Sequence, residues 1–350
     1  MDIWWTALLL ALGVSVILTP LTIPLAKRTG MVDMPDGGRK NHGRPLPYLG
    51  GAAIYLASMA AFLLVAKANI PYFKLVLVLG FSAIFFLGLI DDVRDVSSKL
   101  RLLMHFLVSL IVYIFGSLYY FTAGVFGDTV FVQVLIGLFF VLWNTGIVSA
   151  VNWIDGLDGL AGGVSAIAAL AFAFIMFRNQ NTDFALPIAA GLIGAVLGFL
   201  PYNWHPSKTI MGDNGSTFLG FMLGALSIVV VNGCRTILAF CVPILILAVP
   251  LMDTGVSMLR RKLRGQSIMT ADGEHLHHKL VRRFEKHSKV VIIEYIMGIM
   301  AAVSGILVYR LQVYWLGWIL VALLMIGGSM YAIIRHTTTV QPDKDTEQAV

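Results

Sequence analysis

Residues 3–26 read Ile-Trp-Trp-Thr-Ala-Leu-Leu-Leu-Ala-Leu-Gly-Val-Ser-Val-Ile-Leu-Thr-Pro-Leu-Thr-Ile-Pro-Leu-Ala, 24 positions without a charged side chain. As a helix this run is about 36 Å long, more than the ~30 Å of a bilayer's hydrocarbon. It follows Asp2 instead of a basic region, and Lys27-Arg28 come after it, so it reads as a retained span and not a cleaved leader. Ten further apolar runs succeed it, at 49–66, 71–90, 102–121, 130–151, 160–177, 184–200, 215–231, 236–257, 290–309 and 313–334. All are far longer than barrel strands, which leaves the helix as the spanning element. The expected fold is all-α: a polytopic membrane protein of about eleven transmembrane helices, forming one domain over 1–335 with a disordered tail over 336–350.

Composition agrees. Of 350 residues, 58% are Ala, Val, Ile, Leu, Met, Phe, Trp, Tyr or Cys, and 13% are charged, with mean hydropathy +0.84. A soluble domain carries about twice that charge. Disorder, a disulfide scaffold and a soluble nucleic-acid binder are thereby excluded. Cys234 and Cys241, seven apart, would stand roughly 10 Å apart on one helix, too far for a disulfide, and read as small apolar residues.

Eleven crossings put the termini on opposite sides. With the N-terminus outside, 20 Lys and Arg fall in inner segments and five in outer ones. This asymmetry orients the chain N-terminus out and C-terminus cytoplasmic. Under that topology Asp91, Asp92, Asp155, Asp158, Asp213 and Asp253 all lie at or near the inner boundary. Ionisable groups at membrane depth are functional candidates by default.

Asp91-Asp92-Val93-Arg94-Asp95 ends the third span, and the 3- and 4-residue spacings to Asp95 would project its acids together on a helix. Crowded carboxylates suit a hard cation, because Mg²⁺ takes oxygen ligands and shares them with substrate phosphates. Asn152-Trp153-Ile154-Asp155-Gly156-Leu157-Asp158-Gly159 follows the fifth span, with a polar residue at every third position. Its acids could accept from ribose hydroxyls, as in nucleotide sites, or could simply form a turn. Met211-Gly212-Asp213-Asn214-Gly215-Ser216-Thr217 opens the eighth span and reads as a helix N-terminus with amides suited to phosphate, or as a metal site at Asp213. The inner loop from Arg260-Arg261-Lys262-Leu263-Arg264 to Asp272-Gly273-Glu274-His275-Leu276-His277-His278-Lys279 supplies cations and imidazoles. Its arginines also fit ordinary headgroup binding. The first inner loop, Arg39-Lys40-Asn41-His42-Gly43-Arg44-Pro45, adds more positive charge. Carboxylates for a cation, cations for phosphates and glycine-rich turns on one surface together suit phosphoryl transfer.

At these motifs the chain resembles the polyprenyl-phosphate N-acetylhexosamine-1-phosphate transferase family, also called glycosyltransferase family 4. The segments RKNHGRPLPYLGG, DDVRDVSSKLR, NWIDGLDGLAGG, MGDNGSTFLG, PLMDT and RRKLRGQS…DGEHLHHKL follow in family order. The resemblance implies transfer of GlcNAc-1-phosphate from UDP-GlcNAc to undecaprenyl phosphate with release of UMP, the first membrane step of a cell-surface polysaccharide. It implies Mg²⁺, with Mn²⁺ as substitute, a multi-pass location in the bacterial cell membrane, and a site facing the cytoplasm. Partners would be the UDP-amino sugar, the lipid phosphate and a second copy in a homodimer, with no nucleic acid. By position, Asp213 matches the metal-binding aspartate, and Asp91 and Asp92 the catalytic acidic pair. Asn152, Asp155 and Asp158 match the nucleotide loop. His275, His277, His278 and Arg264 match the segment that handles sugar and diphosphate, and Lys40 and His42 fall in the first inner loop. Alternatives are another donor (UDP-MurNAc-pentapeptide, UDP-GalNAc or a UDP-diamino sugar) and a polytopic transporter. Transporters place polar groups at the midplane and often carry repeats; here the acids sit at a boundary and no repeat is visible.

Overall fold

A computed structural model describes residues 3–34, 45–67, 71–94, 96–115, 129–180, 183–234, 236–267, 280–281, 284 and 286–340. Its helices are α1 (Ile3–Thr29), α2 (Gly50–Leu64), α3 (Pro71–Arg94), α4 (Ser98–Phe115), α5 (Val130–Ile154) and α6 (Leu160–Arg178). They continue with α7 (Ala185–Asn203), α8 (Gly212–Cys234), α9 (Cys241–Ile246), α10 (Ala248–Leu263), α11 (His287–Leu311) and α12 (Tyr314–Val340). A short hairpin, β1 (Val32–Asp33) against β2 (Leu46–Pro47), pairs Val32 with Pro47. The last helix runs to Val340, five residues into the stretch expected to be a tail.

Nine of these helices are long and apolar enough to cross a membrane. The two other expected spans differ in kind. Helix α2 has only 15 residues, about 22 Å, less than the hydrocarbon thickness. The expected span at 236–257 is broken: the segment Ile237–Ile246 meets α10 at 85°. Contacts nevertheless carry both from face to face. At one end of α2, Gly50 N–H donates to Ile210 O (3.1 Å), beside the start of α8; beyond the other end, Lys67 N–H donates to Asp183 O (2.9 Å), beside the start of α7. Leu238 O accepts from Trp318 Nε1 (2.9 Å) near the start of α12, whereas Arg261 near the end of α10 lies over Trp153 near the end of α5. Among the described residues, α2 and the bent pair thus reach between the same two ends of the bundle as the nine longer helices. Cys234 ends α8 and Cys241 opens α9, and neither is in a disulfide.

Helices α6, α7 and α8 form the buried centre, while α1, α4 and α12 turn broad apolar faces outward, as lipid-facing helices do. Local chemistry closes this packing. Pro20 has no N–H, so Val16 O is free of its helical donor and accepts instead from Tyr202 Oη (3.4 Å) of α7. Ser15 Oγ donates to Ala195 O (2.6 Å), and Lys74 Nζ caps the end of α2 on Leu63 O and Ala66 O. Gly88 matters most for the site. A Cβ there would stand 2.5 Å from Asp213 O, so glycine lets the end of α3 lie against the start of α8.

Candidate active site

The ends of α3, α5 and α10 and the starts of α2, α4, α6, α8 and α11 meet on one face of the bundle. Asp91 and Asp92 are neighbours in sequence, yet a helix turns adjacent side chains about 100° apart. Asp91 turns toward α4, where Arg101 Nη1 donates to its Oδ2 (2.6 Å) and Val96 N–H to its Oδ1 (2.8 Å). Asp92 turns toward α8. Its Oδ1 accepts from Asp213 N–H (2.8 Å), and its Oδ2 from Asn214 N–H (3.0 Å) and Asn214 Nδ2 (2.6 Å). A carboxylate from another helix thus satisfies the first amides of α8 and complements its dipole. This corrects one expectation: the amides that looked suited to phosphate are already bound to Asp92. The acids of the motif also diverge where spacing suggested a single projecting group; Asp95 lies outside the described residues.

Asp213 is the junction. Its Oδ1 accepts from Asn152 Nδ2 (2.7 Å) and its Oδ2 from Arg101 Nη1 (3.1 Å), so one guanidinium bridges Asp91 and Asp213. Asn152 Nδ2 also reaches Ser216 Oγ (2.9 Å), tying α5 to α8. Asp155, just beyond α5, makes no side-chain hydrogen bond among the described residues, and its neighbours are like charges. Burial pushes its carboxyl well above the usual range, and Asp213, Asp92 and Asp158 add to the shift. Asp158 faces away from this cluster. Its Oδ2 lies 2.7 Å from His205 Nδ1 and accepts from Ser207 N–H (3.2 Å), pinning the 203–209 loop.

The sequence reading is therefore met unevenly. The structure brings Asp91, Asp92, Asn152, Asp155 and Asp213 together, sets Asp158 at the edge and places Arg264 at the end of α10, where its N–H closes the helix on Arg260 O (3.0 Å). Lys40, His42, His275, His277 and His278 lie outside the described residues. Arg101 was missed as a site residue, although its signal was present: a basic residue in the first turn after the acidic motif. His105 lies one turn deeper and is buried, with no partner for its Nδ1 among the described residues. Among the described residues no three His, Cys, Asp or Glu form a metal cage. The donor chemistry still fits a hard cation, because Asp155 beside Asp213 offers a carboxylate with no side-chain hydrogen bond among the described residues, and Mg²⁺ commonly takes one or two carboxylates with the rest from water and substrate phosphate.

The sequence pattern of Glycosyl transferase family 4 matches residues 74–231. Similarity to a probable undecaprenyl-phosphate N-acetylglucosaminyl 1-phosphate transferase of Bacillus subtilis is 32% identity over 91% of this chain and 88% of that protein. A decaprenyl-phosphate N-acetylglucosaminephosphotransferase of Mycolicibacterium smegmatis is 34% identical over 79% of this chain and 75% of that protein. The undecaprenyl-phosphate alpha-N-acetylglucosaminyl 1-phosphate transferase of Escherichia coli K12 is 30% identical over 88% and 84%.

Proposed function

The chain belongs to glycosyl transferase family 4, and from that membership we propose that it transfers GlcNAc-1-phosphate from UDP-GlcNAc to a polyprenyl phosphate, undecaprenyl phosphate in a bacterial cell membrane. The observation that carries this reading is the junction at Asp213, where four helices from distant parts of the chain deliver carboxylates, an amide and a bridging guanidinium to one face. The Lys and Arg asymmetry supports a cytoplasmic position for that face, where a water-soluble donor arrives.

The reaction is a single displacement. An oxygen of the lipid phosphate bonds to the β-phosphorus of the donor, the bond from that phosphorus to the bridging oxygen breaks, and UMP leaves with the electron pair. A phosphate monoester has its second pKa near 6, so at neutral pH much of the acceptor is already dianionic and needs little base catalysis. Bringing two anions together is the larger barrier, and positioned charge is the remedy. Mg²⁺ would supply that neutralisation when bound, held by Asp213 and Asp155. Arg101 keeps Asp91 and Asp213 side by side despite their repulsion. Asp91 and Asp92 accept hydrogen bonds on both oxygens of each and so organise α4 and α8 around the site.

Incubation of the purified protein with radiolabelled UDP-sugars, undecaprenyl phosphate and Mg²⁺ tests the reading. The expected outcome is labelled lipid and UMP from UDP-GlcNAc in preference to UDP-GalNAc or UDP-MurNAc-pentapeptide. Sugar phosphate trapped on the protein without lipid would overturn the single displacement. Counterflow without chemical conversion would favour transport.

A further inference from the structure

Trp153 stands between Asn152 and Asp155 in sequence, but its ring faces a different helix. The guanidinium carbon of Arg261 lies 4.9 Å from the ring centre. Arg260 and Arg261 sit in the last turn of α10, each only 2% exposed. An arginine that merely decorates a membrane interface extends its head into water. These do the reverse, so positive-inside charge alone does not account for them. A desolvated guanidinium on a tryptophan face is among the stronger cation–π arrangements.

The turn between α5 and α6 is anchored at both ends. Its far end is fixed by Gly159 N–H on Asn203 Oδ1 (2.9 Å), by Tyr295 Oη on Gly159 O (2.6 Å), and by Asp158 on His205 (2.7 Å). Asp155, between the two, has no side-chain partner of its own among the described residues. Its place is set by the backbone, which at the near end is held by Ile154, buried in the core, by Asn152 on Asp213 and Ser216, and by Trp153, whose ring carries the Arg261 guanidinium. We propose that Arg261 is a positioning residue for the carboxylate cluster, setting through the face of Trp153 where Asn152 and Asp155 stand against Asp213. The basic end of α10 and the acidic junction then behave as one unit. This inference deepens the transferase reading and rests on it for the meaning of turnover, although cation binding can be measured without turnover.

The test is a double-mutant cycle in the full-length, detergent-solubilised protein, using Arg261→Gln, Trp153→Leu and their combination, with Arg261→Lys and Trp153→Phe as milder variants. Mn²⁺ binding is counted by electron paramagnetic resonance, and kcat, donor KM and the Mg²⁺ concentration for half-maximal rate are measured alongside. Each single change is expected to weaken Mn²⁺ binding and raise the Mg²⁺ requirement by about 5- to 30-fold. The double variant should be no worse than the worse single, and Arg261→Lys should recover part of the loss. Effects that multiply in the double variant overturn the proposal, as does unchanged Mn²⁺ binding alongside a fall in melting temperature. Absence of Mn²⁺ binding to the unaltered protein overturns it as well. Absence of transfer from any UDP-sugar, with cation binding intact and coupled through Arg261, fails the transferase reading alone.

Discussion

Two groups of acids lie within this bundle, and water reaches one of them. The junction around Asp213 is open enough that its side chain is 32% exposed, and a guanidinium and an amide are placed among its carboxylates. Between α10 and α11, Asp253 and Glu294 are buried at 4% and 1%, and Glu294 Oε1 has no hydrogen-bond partner among the described residues. The same residue type thus serves two purposes. Where solvent, a cation and a phosphate can enter, crowded carboxylates are a reason to bind them. Where nothing enters, a carboxyl group is a packing element whose charge would be costly.

The contrast can be broken most sharply at Asp213. Asp213→Ala should lower kcat by about 10³-fold or more while the protein still purifies folded, since positioned charge is worth that much in a transition state; retained turnover would remove Asp213 from the cation site. Arg101→Gln comes next. It leaves Asp91 and Asp213 facing each other uncompensated, so activity should fall by about 10²-fold and stability by about 1–3 kcal/mol, with Arg101→Lys recovering part. Asp92→Ala removes the cap from α8 and should cost about 1–2 kcal/mol in a thermal melt, whereas Asp92→Asn, which still accepts, should cost less.

A pH series sharpens the same comparison with a smaller effect. The Asp155 carboxyl is held above its unfolded value, so the folded state binds the proton more tightly. Its contribution favours folding at acidic pH and fades as pH rises from about 4 toward the raised folded value. Protein in chelator should therefore lose a few degrees of melting temperature, roughly, as pH rises through that window, and added Mg²⁺ should flatten the slope. An identical slope with and without the ion would separate Asp155 from cation binding. The smallest effect is expected at the second group. Glu294→Gln keeps the shape of a buried, uncharged carboxyl, so activity should stay within about twofold and stability within about 1 kcal/mol. A large loss there would mean the two groups are not different in kind.

Much of the site was legible before any coordinates, but residue types were read more reliably than partners. Asp91, Asp92, Asn152, Asp155 and Asp213 stand out because acids and amides are rare at the ends of apolar runs. Spacing along α3 could not say that Asp91 and Asp92 serve different helices. Nor could it show that Asp158 is spent on His205, 47 residues away. Arg101 and Arg261 were hidden for a different reason: every basic residue near an inner boundary has an adequate explanation in orientation alone. Burial sets Arg260 and Arg261 apart from the exposed basic residues of the loop, and the ring beneath its guanidinium distinguishes Arg261.

By itself the sequence determined that the chain is a bundle of apolar helices and that its acids gather toward one boundary. Hydrophobic run length and the energetic cost of charge in lipid are properties of local composition. The tertiary structure decided which oxygens meet which donors, that the expected span at 236–257 is bent by 85° near residue 247, and that α8 is capped by a carboxylate from α3. Those facts depend on hydrogen bonds and close approaches between helices more than a hundred residues apart, such as Gly88 against Asp213. A one-dimensional pattern carries no distance across that gap.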